Sequence, residues 1–65
     1  MARFFVQLDG PGMKRDRSEF RKIADAKAWA EAHPGPADTL NVWQGNWRHV
    51  ALFQKISGVW QRIKE

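Results

Sequence analysis

Residues 39–64, TLNVWQGNWRHVALFQKISGVWQRIK, decide the fold. β-Branched and aromatic residues dominate this stretch, and it is interrupted at Gly45-Asn46 and Ser57-Gly58, residue types that tolerate positive φ in tight turns. The pattern predicts three consecutive antiparallel strands. Three of the chain's four tryptophans lie within them. Sidedness follows from register. A three-residue loop Gln44-Gly45-Asn46 pairs Trp43 with Trp47, and a turn on Ser57-Gly58 pairs Ile56 with Val59. Leu40, Val42, Val50, Leu52, Ile56, Val59 and Ile63 then share one face. Asn41, Trp43, Trp47, His49, Phe53, Lys55, Trp60, Arg62 and Lys64 share the other. Strand side chains alternate with period two, so a slip of one residue dissolves this sorting, and a two-residue Gly45-Asn46 loop would be such a slip.

Working back from the meander, RFFVQLD at residues 3–9 alternates cleanly, with Phe4, Val6 and Leu8 on one side and Phe5 on the other. It reads as a half-buried strand ended by Asp9-Gly10-Pro11-Gly12. Residues 13–23 admit two readings. Asp16 and Glu19 match a capping box that could open a helix reaching His33. However, Ala26, Trp29, Ala30 and His33 form a stripe at helical spacing, and Phe20, nine residues before Trp29, falls on the opposite side of any continuous helix. A strand over 17–23 is therefore preferred, with the helix starting at Asp25 or the residue before it and stopped by Pro34-Gly35-Pro36. Asp38 or Thr39 leads into the next strand. The expectation is an α+β protein: one domain spanning 1–65, a single helix packed on an antiparallel sheet of four to five strands, order β-(β)-α-β-β-β, the second strand optional.

Sixty-five residues support one small core, and the chain has no cysteine, so neither disulfides nor a thiolate metal site can reinforce it. Two histidines are too few for a structural metal, no cofactor is expected, and a homodimer or a large partner is open. The net charge of +4 is unevenly spread, with five basic residues against two acidic ones at 13–22. Such a balance favours nucleic acid or an acidic protein surface, against the plainer reading of a solubilising charge. No apolar run approaches the ~20 residues of a membrane span, and Met1-Ala2-Arg3 before FFVQL makes no signal peptide, so no membrane association and a cytoplasmic location are expected. Nucleophile, phosphate-loop and metalloprotease signatures are lacking, and the seven acidic residues are scattered. An enzyme is not expected.

Two groups of candidate binding residues result. If the helix covers the aliphatic face, the outward face carries Phe5, Trp43, Trp47, Phe53 and Trp60 interleaved with His49, Lys55 and Arg62. That composition suits single-stranded nucleic acid, where rings stack on bases and cations meet phosphates, and equally a protein interface. Lys14, Arg15, Arg17, Arg21 and Lys22 form the second group, a basic loop beside the sheet. If the alanine-rich helix packs on the aromatic face instead, the tryptophans are core.

Phe20 to Trp29, FRKIADAKAW, resembles the strand-to-helix passage of arm-type DNA-binding domains of phage integrases, which implies DNA contact. The whole layout, with D-A-K-A-W at the helix start and Gly58-Val59-Trp60 at the last turn, resembles small phage-encoded inhibitors of bacterial defence, certain type I-F anti-CRISPR proteins among them. This second resemblance implies a small non-catalytic protein that covers a binding surface. The leading expectation is accordingly a basic binding protein of phage or mobile-element type acting on nucleic acid or a nucleic-acid-binding complex. The alternative is a protein–protein interaction module without nucleic acid.

Overall fold

The structure, a computed structural model, describes residues 3–33 and 35–64, with the side chain of Lys64 outside the description. Pro34, expected to stop the helix, also lies outside the described residues, as does the start of the chain at Met1-Ala2. Five strands and one helix follow in the order β1 (Phe4–Asp9), β2 (Asp16–Phe20), α1 (Ile23–Ala32), β3 (Thr39–Gln44), β4 (His49–Ile56) and β5 (Val59–Lys64). The sheet is antiparallel throughout, in spatial order β2-β1-β3-β4-β5. The optional second strand is present, so the four-strand alternative falls away and the helix follows two strands. It is shorter than expected, ending at Phe20 rather than residue 23, and the helix begins at Ile23, ahead of Asp25. Asp16 and Glu19, the residues of the would-be capping box, sit in β2.

The helix lies over β2, β1 and β3. Its buried residues are Ala26 and Ala30, whose small side chains let the backbone approach the sheet closely. Beneath them Leu8, Leu40 and Val42 are wholly enclosed, each adding about 1.5–3 kcal/mol by leaving water. Trp29 closes the flank against Phe20, with ring centroids 5.7 Å apart. His33, the last residue of the predicted stripe, brings Nε2 to 2.9 Å from Asp16 Oδ2, tying the helix end to β2. The loop after the helix presses on the end of β1: a Cβ on Gly10 would overlap the Pro36 carbonyl, and the Asp38 amide donates to the Asp9 carbonyl at 2.9 Å.

The meander departs from the expected register at one hairpin and keeps it at the other. Ser57 (φ 52°) and Gly58 (φ 81°) are both left-handed, as a two-residue turn matching the strand twist requires, and Ile56 pairs with Val59 as expected. In the first hairpin the loop is Gly45-Asn46-Trp47, one residue further on than expected. Trp47 donates its amide to the Gln44 carbonyl, the Gln44 amide donates to Arg48, and Trp43 stands opposite His49 rather than Trp47. A β-bulge follows immediately. Val42 pairs with Ala51, so Val50 is the extra residue.

That one residue reverses the parity of β4, and of β5 with it. Phe53 and Trp60, expected on the outward aromatic face, are buried on the helix side. Lys55, opposite Trp60, and Arg62, opposite Phe53 and 5.8 Å above its ring, go with them. Leu52, Ile56, Val59 and Ile63, expected under the helix, are turned to the open face, and Val50 is left half-buried. Leu40, Val42, Phe4, Val6 and Leu8 stand on the helix side as expected. The helix therefore takes a mixed aliphatic and aromatic face, which neither sequence alternative described whole. No helix among the described residues is long and apolar enough to cross a membrane.

Candidate functional site

The open face of the sheet divides in two. Its first half, built on β2, β1 and β3, is aromatic. Phe5 points outward because its neighbours Phe4 and Val6 point under the helix, and Trp43 stands opposite it on β3. The loop of the first hairpin then folds Trp47 back over this pair. Its ring stacks on Phe5 at a centroid distance of 5.0 Å with 23° between planes and meets the edge of Trp43 at 6.5 Å. These rings line a groove of about 430 Å³ with Gln7 and Arg17. The volume lies within the usual ~300–1,000 Å³ of ligand clefts.

Trp47 is the unusual member. It is 68 % exposed, although it is one of the largest apolar side chains in the protein. Its φ of 63° lies in the left-handed region, which costs a residue with a Cβ about 1 kcal/mol. Hairpin loops of this length commonly place Gly there. The loop gains its closure from Asn46, whose Oδ1 accepts from the Arg48 amide at 3.1 Å.

The predicted site residues are thus only partly brought together. Phe5, Trp43, Trp47 and Arg17 meet in the groove. His49 adjoins it, 5.5 Å from the Trp43 ring, with Nε2 donating to Asn41 Oδ1 at 3.0 Å, so its polar edge is already engaged within the sheet. Phe53, Trp60, Lys55 and Arg62 are on the other side of the sheet and do not belong to this surface. Of the basic group, Arg15 is engaged with Asp9 at 3.3 Å in the β1–β2 loop. Lys14 in the same loop, Arg17 on β2, and Arg21 and Lys22 between β2 and α1 are exposed, and none enters an ion pair among the described residues. They form a basic margin along the β2 edge. Arg3 and Glu19 meet there at 3.3 Å across β1 and β2. Gln7 was missed by the sequence reading, although its alternation with Phe5 already placed it on this face. It also reaches Asp9 Oδ2 at 3.0 Å.

The second half of the open face, on β4 and β5, differs in chemistry. Ile56 pairs with Val59 and Gln54 with Gln61, while Leu52 pairs with Lys64 at the far end and Ile63 stands exposed beside it. Among the described residues no cluster of His, Asp or Glu could hold a metal ion. No protein-family model matches the chain, and neither the curated proteins nor the solved structures contain a significant match to it.

Proposed function

We propose that this is a small non-catalytic binding protein that takes single-stranded nucleic acid on the aromatic half of its open sheet face. Trp47 carries the reading. A ring held in solvent, on a backbone conformation that Gly would adopt more cheaply, is a local cost that the fold does not require. One side of that ring is occupied by Phe5, which fixes its orientation, and the other is free to stack on a base for roughly 1–3 kcal/mol. Arg17 in the groove and Lys14, Arg21 and Lys22 along the margin supply the positive charge that a phosphate backbone needs beside such a platform.

The test is a fluorescence titration of the intact protein with a short single-stranded oligonucleotide at low and high salt. Quenching of tryptophan emission that weakens steeply as salt rises supports the proposal, and emission indifferent to the oligonucleotide at low salt overturns it. A second reading, a protein–protein interaction module, is favoured by the exposed aliphatic side chains of β4 and β5. Contact with a protein through those groups would persist at high salt, which separates the two.

A further inference from the structure

We propose that the aromatic groove prefers a base carrying an exocyclic amine over thymine or uracil, and that Gln7 makes the distinction. The inference rests on the nucleic-acid reading of the groove and adds a chemical class to it.

Gln7 is held with its amide in one orientation. Its Nε2 donates to Asp9 Oδ2 at 3.0 Å, and the other oxygen of that carboxylate takes Arg15 Nε at 3.3 Å. A carboxylate engaged in this way only accepts, so the amide must turn its NH2 toward Asp9 and its oxygen away. Gln7 Oε1 accepts no hydrogen bond among the described residues. It is also open to solvent, because no buried side-chain oxygen or nitrogen among them lacks a partner. Donation to a charged acceptor polarises the amide and makes Oε1 the stronger acceptor for it.

Register puts this acceptor beside the stacking rings. Gln7 and Phe5 share the open face two residues apart on β1, about 7 Å along the strand, and both line the groove with Trp43 and Trp47. Arg17 stands opposite Gln7 on β2, and Asn41 opposite it on β3, with Asn41 Oδ1 already held by His49 at 3.0 Å. A base stacked on the Trp47–Phe5 pair can thus turn an edge to Oε1 while Arg17 is left for phosphate.

What Oε1 asks of that edge is a donor. Adenine, cytosine and guanine each offer an amine that projects clear of the ring. Thymine and uracil have only N3–H, set between two carbonyl oxygens. Those oxygens bring like partial charge against Oε1 and the Asp9 carboxylate behind it.

The test titrates the intact protein at low salt with an oligothymidylate of about eight nucleotides, and with the same strand carrying one central adenine or one central unsubstituted purine. The purine is adenine without its amine, so the two strands differ little in stacking. The adenine strand should bind about threefold to tenfold tighter than the purine strand, the worth of one hydrogen bond. Gln7→Met, similar in length but without the acceptor, should bring that ratio to about one. Asp9→Asn should lower it as well, since an asparagine there can donate or accept and no longer dictates how the Gln7 amide turns. Circular dichroism checks the fold of both variants. Equal binding of the adenine and purine strands to the parent protein overturns the inference and leaves stacking on Trp47 standing. A ratio that survives Gln7→Met overturns the assignment to Gln7. Failure of every strand to bind overturns the nucleic-acid reading, and this inference falls with it.

Discussion

The two halves of the open face belong to one sheet but answer to different supports. Behind the aromatic half lies the helix, so Phe5 and Trp43 are anchored by neighbours on their own strands that point into a close-packed core. Behind the β4–β5 half stand Ala51, Phe53 and Trp60, buried at the margin of the same core, with Lys55 and Arg62 beside them. Rings presented from the centre of the backed surface are held in a fixed orientation, whereas Ile56, Val59 and Ile63 at its margin stay exposed. The same contrast runs through the turns. Each hairpin holds one residue with a Cβ at a left-handed position, a small serine in the second and a tryptophan in the first.

The largest expected effect tests the difference in support. Leu40→Ala removes a wholly buried side chain beneath the helix and should lower unfolding free energy by about 2–5 kcal/mol. Ile56→Ala, measured in the same way, should cost no more than about 0.5 kcal/mol. Equal losses in the two variants would mean that the β4–β5 face is packed within the monomer, and the contrast would fail.

Next in size is a pair of substitutions at Trp47. Trp47→Ala and Trp47→Gly both delete the ring, and each should weaken oligonucleotide binding by about 1–3 kcal/mol. They differ only in the backbone. At φ 63° the glycine variant should be the more stable of the two by about 1 kcal/mol in chemical denaturation. Binding retained in both would remove Trp47 as the stacking platform. Equal stability would mean that the loop relaxes to another conformation once the ring is gone.

What the sequence made legible, and what it did not, follows the same line. Alternation in β1, the helix stripe and the Ser57-Gly58 turn could be read directly, because each is set by residues within a few positions of one another. The separation of Phe20 from Trp29 also sufficed to choose strand over helix for β2. The faces of β4 and β5 could not be read, because they depend on a bulge. His49, Val50 and Ala51 carry no residue that demands an extra position, and Gly45-Asn46 is compatible with several loop lengths. The bulge is favoured only in three dimensions, where it puts Phe53 and Trp60 against the edge of a helix too narrow in alanine to fill that space alone. The shared face of Phe5, Trp43 and Trp47 was therefore legible, because all three lie before the bulge, and that of Phe53 and Trp60 was not.

A smaller effect is expected from charge. Arg17→Gln should lower oligonucleotide affinity at low salt and reduce the slope of log affinity against log salt by about 0.7, the value of one phosphate contact on a single strand. Lys55→Gln, an equal change in net charge on the opposite side of the sheet, should leave that slope nearly unchanged. Matching slopes would reduce the role of Arg17 to general attraction by a basic protein.

The smallest expected effect belongs to Glu19. It stands beside Phe5 on the adjoining strand and holds Arg3 at 3.3 Å, so it occupies a cation beside the groove. The pair is solvent-exposed, and such pairs contribute at most about 1 kcal/mol to stability. Glu19→Gln should therefore change the unfolding midpoint little. It should also free the Arg3 guanidinium and strengthen oligonucleotide binding at low salt by less than about 1 kcal/mol, a gain that salt screening removes. The direction matters more than the size. Weaker binding after Glu19→Gln would show that the Arg3–Glu19 link acts by holding β1 and β2 in register under Phe5. The acid would then be part of the platform and not a competitor for its charge.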